Sequence, residues 1–245
     1  MNVVGIIPAR YASTRFEGKI LANILGKPMI QHVWERAKQS KMLDDLIIAC
    51  DDERVKKIAE DFGANVVLTS KDHESGSDRL TEIVQPLDVK IVINIQADEP
   101  LIHFTMLDSL ARAILDEPSI AMATLIKKIT NKEELSNPNI VKVVIDRDNY
   151  AIYFSRASIP YLRDDNVDQV YYKHLGIYAY TKDFLFTFKN LPESNLEKAE
   201  KLEQLRAIES GYKIKTVQTN IETISVDTPE DLELVKRKIS EERLS

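Results

Sequence analysis

One cysteine in 245 residues leaves no internal disulfide to form, so the chain must hold together by burying apolar surface. That cysteine, Cys50, ends an apolar run and reads as a buried structural thiol in a reducing cytoplasm, not as a nucleophile. No apolar run is long enough to span a bilayer, and the start lacks a charged segment leading into a long apolar one. The expectation is a cytoplasmic protein with no membrane partner. Positive charge is also short. A net charge of −6 argues against a nucleic-acid partner, which needs a basic face. The two common glycine signatures for phosphate, the Walker spacing and G-x-G-x-x-G, are both absent. His32, His73 and His103 show no mutual spacing for a transition metal. Internal repeats and low-complexity tracts are missing too. What is present, 44% hydrophobic and 29% charged residues over 245 positions, describes an ordinary globular chain long enough for one large domain with a full core.

The first stretch organises the rest. Val3, Val4, Ile6 and Ile7 are β-branched and nearly continuous, which predicts a strand buried on both faces and ended by Pro8. A loop with three cations follows, carrying Arg10, Arg15 and Lys19, and then Gly26-Lys27-Pro28 opens a helix with Pro28 at its first position. A basic loop at the C-terminal edge of a buried strand is where α/β proteins hold phosphates. Its plain alternative is a solvated loop with ordinary surface cations.

Apolar runs at 46–49, 66–68 and 91–95 alternate with helical spacing at 30–37, 55–62 and 107–114, giving a Rossmann-like, mostly parallel central sheet flanked by helices. Residues 122–126, 141–145 and 150–154 are strand-like with little helix between them, and 146–149 has hairpin-turn chemistry. A small β-rich subdomain at about 120–180 is expected on the same core. Residues 164–168 read as an exposed loop, 171–180 as a strand, 181–188 and 196–210 as helices, and 214–217 as a last strand. Thr228-Pro229-Glu230-Asp231 then starts a helix.

Several motifs carry chemistry. Asp98 follows the fourth strand and is either a hard-oxygen ligand for Mg²⁺ beside a polyphosphate or a helix cap; Glu99 stays open. Asp227 stands just before a helix start. Ser75-Gly76-Ser77-Asp78-Arg79 offers small residues and a cation at a helix N-terminus, and serves equally as a plain capping sequence.

The stretch Ile7-Pro8-Ala9-Arg10-Tyr11-Ala12-Ser13-Thr14-Arg15, with Gly18-Lys19 after it, resembles the start of the 3-deoxy-manno-octulosonate (Kdo) cytidylyltransferases, or CMP-Kdo synthetases. The resemblance continues, in order, through Gln96-Ala97-Asp98-Glu99-Pro100, Asn137-Pro138-Asn139, Tyr153-Phe154-Ser155-Arg156, Lys173-His174-Leu175-Gly176-Ile177-Tyr178, Leu202-Glu203-Gln204-Leu205-Arg206 and Val226-Asp227-Thr228-Pro229-Glu230-Asp231. The family usually has glycine at the place of Ala97 and prolines at those of Glu17 and Ile20, so three positions depart from the pattern. The resemblance implies a nucleotide site made of Ala9, Arg10, Arg15, Lys19, Ser75, Gly76, Arg79, Gln96 and Asp98. It implies a sugar site made of Gln96, Arg156, His174, Tyr178, Glu203 and Gln204. Asp98 and Asp227 are the implied Mg²⁺ ligands, and Arg10, Lys19, Asp98 and Asp227 the implied catalytic set. The implied substrates are CTP and an acidic 3-deoxy sugar, joined with release of pyrophosphate for lipopolysaccharide biosynthesis by a homodimer whose hydrophobic middle strands are a candidate interface. On side-chain physics alone His174 reads as a satisfied core histidine, and Glu203–Arg206 as a helix-surface ion pair. Rival readings are the same reaction on an 8-amino Kdo, a sialic acid or another ulosonic acid, a glycosyltransferase, or a non-catalytic CTP-sensing domain. The Asp-x-Asp pattern that a glycosyltransferase would want is absent at 98–100.

Overall fold

The computed structural model describes residues 1–12, 18–73, 76–164 and 168–244. Strand β1 (Val3–Ala9) leads through a 3-10 turn (Lys19–Leu21) into a tight hairpin of β2 (Asn23–Ile24) and β3 (Lys27–Pro28). The hairpin turns on Leu25 and Gly26, both at positive φ (50° and 91°), as a two-residue loop between antiparallel strands requires. Pro28 is therefore the last strand residue and the N-cap of α1 (Met29–Ala37), one place before the position the sequence suggests.

The chain then alternates through β4 (Asp45–Cys50), α2 (Glu53–Asp61), β5 (Asn65–Leu68), α3 (Gly76–Val84), β6 (Ile91–Asn94) and α4 (Phe104–Asp116). Next come β7 (Met122–Lys128), α5 (Lys132–Ser136), β8 (Lys142–Ile145), β9 (Ala151–Ser155) and β10 (Tyr172–Thr181). Last are α6 (Lys182–Asn190), α7 (Asn195–Glu200), α8 (Leu205–Glu209), β11 (Lys215–Gln218) and α9 (Pro229–Leu244).

Among the described residues nine strands make one sheet, in the order β11-β7-β10-β6-β1-β4-β5, with the β8–β9 hairpin attached to β10. β1, β4, β5 and β6 are parallel, and only β10 runs against its neighbours in the main path. Both faces are covered, which is why the central strands read as continuous apolar runs. Val3 and Ile7 of β1 face one core with α1, α4 and α9, while Val4 and Ile6 face the other with α3, α6 and α8. Each such fully buried aliphatic side chain contributes about 2 kcal/mol.

The helix expected over 196–210 is broken in two. Ser194 and Glu197 form a capping box that starts α7 early, and Lys201 ends it in the left-handed region (φ 54°). Residues 202–204 then cross to α8 as irregular chain. Cys50 is fully buried and its thiol is pushed up by burial.

Candidate active site

Because β1, β4 and β6 are parallel, their C-terminal ends share one edge of the sheet; β10, running oppositely, brings its N-terminal half there too. Ligands of open α/β sheets bind at that edge. Arg10, Asp51, Gln96 and Asp98 follow the strand ends, and His174 and Gly176 arrive on β10.

The loop after β1 is tied at both ends. Gly18 donates its N–H to the Tyr11 carbonyl (3.1 Å). Its φ is 66°, and a Cβ there would sit 3.3 Å from the Tyr11 ring, so this position suits glycine on two counts. Tyr11 N–H donates to Asp51 (3.1 Å), and the Arg54 guanidinium lies 3.6 Å from the Tyr11 ring centroid. Lys19 is delivered by the turn that follows.

The Lys19 ammonium donates to Asp98 Oδ2 (2.7 Å), Asp227 Oδ1 (3.0 Å) and the Val226 carbonyl (3.0 Å). Burial alone would lower its pKa, but Asp98 and then Asp227 outweigh that and hold it above the ordinary lysine value. Asp227 reaches Asp98 because Val226 N–H donates to the Asp98 carbonyl (2.9 Å), pinning the segment before α9 to the end of β6. Asp231 Oδ2 accepts from the N–H groups of Asp227 (3.0 Å) and Thr228 (2.9 Å), and Thr228 Oγ1 accepts from Asp231 N–H (3.2 Å). That reciprocal cap fixes the direction of the segment. One cation between two carboxylates leaves a local net negative charge. Both carboxylates remain partly open, at 25% and 49% exposure.

Three cavities run on from this point. The first, about 920 Å³, is lined by Asp227, Asn137, Arg156, Lys173, His174 and Gly176 among others. The second, about 230 Å³, shares His174 and Gly176 and adds Asn94, Gln96, Tyr178, Glu203 and Gln204. The third, about 730 Å³, shares Glu203 and opens at Gly76 and Ser77. Among the described residues four buried side-chain atoms have no hydrogen-bond partner: Asn94 Oδ1, Glu99 Oε2, Tyr178 OH and Gln204 Nε2. Three of them line the middle cavity. Each costs about 1–3 kcal/mol unpaired, so their convergence points to a polar ligand.

The cytidylyltransferase family profile matches residues 4–215. The chain is 50% identical over 236 residues to a 3-deoxy-manno-octulosonate cytidylyltransferase of Solibacter usitatus, covering 96% of this chain and 94% of that one. It is 46% identical to the protein of the same name in Geobacter sulfurreducens, covering 98% and 100%. Among solved structures, a CMP:2-keto-3-deoxy-manno-octonic acid synthetase in complex with CTP superposes with a TM-score of 0.94, at 43% identity, covering 99% of this chain and all of that one. The chain belongs to the cytidylyltransferase family.

In this cytidylyltransferase the expected sugar residues sit around the first two cavities. Arg156 donates from Nε to the Glu200 carbonyl (2.7 Å) and from one terminal nitrogen to the Pro138 carbonyl (3.0 Å). Gln96 donates to the Gly176 carbonyl (3.1 Å). His174 Nε2 meets Thr124 Oγ1 at 2.9 Å, and burial pulls its pKa down to about 3, so the ring is neutral at pH 7. Tyr178 is buried, with its pKa raised well above ordinary by burial and then by Glu203; nearby Thr124 already donates to Ile177 O (2.9 Å). Glu99, left open by sequence, is buried beside Asp98 and pushed up to about 8 by burial first, which keeps it protonated at neutral pH.

Two readings need correction. The Arg79 guanidinium, expected at the nucleotide site, is turned into the core. It is 2% exposed and donates to Asp51 Oδ2 (3.0 Å) and Thr69, because a buried guanidinium requires a carboxylate and Asp51 supplies one. Arg79 thereby steadies Asp51, which holds Tyr11. Nor is Glu203 ion-paired to Arg206. Arg206 takes Glu197 (Nε to Oε2, 2.8 Å), leaving Glu203 to accept from Ser77 Oγ (3.2 Å). Burial raises the Glu203 pKa.

Ala9 packs its methyl in the core, so only its backbone is available at the strand end. Arg10 is exposed, 3.4 Å from the His73 carbonyl. Gly76 begins α3. Arg15, Ser75, Glu17 and the loop centre at 165–167 lie outside the described residues. Ala97 is buried and not among the residues at positive φ, so its methyl imposes no backbone strain. No cluster of three or more metal-binding side chains occurs among the described residues. His103 caps α4, His73 pairs with Glu82, and His32 meets the Ile24 carbonyl.

Sequence reasoning passes over Asn94 and Lys142. The signal for Asn94 was a polar residue closing an all-apolar strand at the ligand edge. That for Lys142 was a lone charge inside Val141-Lys142-Val143-Val144.

Proposed function

We propose that this protein joins CTP to 3-deoxy-manno-octulosonate, giving the CMP-sugar and pyrophosphate. The observation that carries the reading is the meeting of Asp98 and Asp227 on Lys19, at the mouth of a cavity walled by Arg156 and His174. The sugar's anomeric hydroxyl attacks the α-phosphorus; a new O–P bond forms, the α–β phosphoanhydride breaks with its electron pair leaving on pyrophosphate, and the hydroxyl proton passes to solvent. Arg10 and Lys19 take the β- and γ-phosphates and stabilise charge on the leaving pyrophosphate. Arg156 faces the sugar carboxylate, since a guanidinium matches that group. Tyr178, Gln204 and neutral His174 hydrogen-bond sugar hydroxyls.

Asp98 and Asp227 fit Mg²⁺. They are hard oxygen donors, they already converge on one cation, and their net negative charge suits a divalent ion. Bound there, Mg²⁺ supplies Lewis-acid activation of the hydroxyl and neutralises charge between two anionic substrates.

The whole chain works as one α/β unit whose β-rich stretch walls the sugar cavity. A homodimer through the middle strands is supported by exposed Ile152 and Tyr161 (54% and 88%). Among the described residues no helix is long and apolar enough to cross a membrane. The cytoplasm is the proposed compartment, supported by the lone buried thiol.

The test is pyrophosphate release with CTP and Mg²⁺, comparing Kdo, its 8-amino analogue, sialic acid and no sugar. Release with Kdo well above the other arms is expected. CTP binding without release on any acid would replace this reading with a nucleotide sensor.

A further inference from the structure

Lys142 is a fully buried lysine with no carboxylate partner within ion-pair distance among the described residues. Its ammonium instead donates to three backbone carbonyls, those of Asn137 (2.9 Å), Ile140 (2.6 Å) and Arg156 (2.5 Å). All three nitrogen hydrogens are used, which is the full donor capacity of the group. Two of the carbonyls belong to the loop after α5, and the third belongs to the residue that leaves β9. The same loop offers its Pro138 carbonyl to the Arg156 guanidinium. Lys142 is therefore the centre of a cage joining the two pieces of backbone that hold Arg156 in the wall of the 920 Å³ cavity.

A buried ammonium without a paired charge is costly, so stability does not explain it. Charge bookkeeping gives the same direction. Lys142 and Arg156 are two cations near Glu200, whose carboxylate accepts from Ser155 Oγ (2.6 Å) and Arg156 N–H (2.9 Å). Lys173 on the neighbouring strand is paired with Glu134 (2.6 Å) and with Glu222 (2.7 Å), and Glu222 is shared with Lys127, so that group balances within itself. The cluster of Lys142, Arg156 and Glu200 taken by itself holds two cations and one carboxylate, a local positive charge that a single carboxylate on a ligand would balance.

We propose that Lys142 is a positioning residue for acid recognition: by caging the carbonyls of Asn137, Ile140 and Arg156 it sets Arg156 against the carboxylate of the sugar. This rests on the reading of the site as a cytidylyltransferase for an acidic sugar.

The experiment measures pyrophosphate release by Lys142→Met, varying the acidic sugar at saturating CTP and then CTP at saturating sugar. The sugar KM should rise by about tenfold or more, as expected of a guanidinium misplaced by an ångström or so, while the CTP KM stays within about twofold. In an Arg156→Ala background, Lys142→Met should add little further loss, because both act through one contact. Lys142→Gln, which keeps amide donors for the cage, should recover part of the sugar affinity, and it carries the test if Lys142→Met does not fold. An unchanged sugar KM in a folded variant, an equal rise in both KM values, or full additivity with Arg156→Ala would overturn the proposal. Failure of the underlying reading shows separately, as wild-type protein that releases no pyrophosphate with any acid.

Discussion

His174 gives a prediction whose size follows from the structure. Its ring packs edge-on to Phe154 (5.0 Å between centroids), lies 5.3 Å from Tyr178, and meets the Thr124 hydroxyl. Burial without a neighbouring carboxylate lowers its pKa from 6.5 to about 3. The folded protein therefore refuses a proton that the unfolded chain accepts. Stability from this group is complete above pH 6.5 and is lost as pH falls toward the folded value, because the unfolded state binds more protons in that window. The loss between pH 7 and pH 5 is about 2 kcal/mol. Replacing His174 with Gln keeps a hydrogen-bonding group but removes the titration. Urea unfolding midpoints of wild type and His174→Gln at pH 7, 6 and 5 cancel the contributions of all other groups. The wild type should lose about 2 kcal/mol more than the variant over that range. Parallel pH profiles would refute the reasoning and mean that the ring reaches solvent or an anion.

Other outcomes follow from neighbouring contacts. Asp51→Ala leaves the Arg79 charge buried without its partner and should cost about 3 kcal/mol in urea denaturation, together with weaker CTP binding because Tyr11 N–H loses its acceptor. Gly18→Ala places a Cβ at φ 66° against Tyr11; calorimetry should show a stability loss of about 1–2 kcal/mol, and titration severalfold weaker CTP binding. Ala97→Gly should leave turnover within about twofold and lower stability by about 0.5–1 kcal/mol, since Ala97 already sits at ordinary backbone angles.

Much of this was legible in the chain because it is written in local patterns. Val3 to Ile7 and the run 91–95 are apolar without alternation, and a sheet covered on both faces is the arrangement that uses such strands. The strand ends then place Arg10 and Asp98 on one edge without further information. Less legible were features set by pairing across long chain separations. Asp227 reaches Asp98 through a backbone bond from Val226 outside any regular element, and only the family pattern suggested it. Arg79 looked like a ligand cation because its partners, Asp51 and Thr69, belong to other segments. The break at Lys201, which delivers Glu203 and Gln204 to the middle cavity, depends on a left-handed lysine that carries no residue-type signal. Lys142 looked like an interruption in a strand because its partners are carbonyls, which every residue carries.

The account stands most directly on the carboxylate pair at Lys19. The deciding measurement is steady-state pyrophosphate release by Asp98→Asn and Asp227→Asn, each checked for native folding by circular dichroism, with CTP, Kdo and Mg²⁺ saturating for the wild type. Each variant should lose about a hundredfold or more in turnover. A folded variant of either kind that keeps wild-type turnover would contradict the claim that these two residues form the reaction centre.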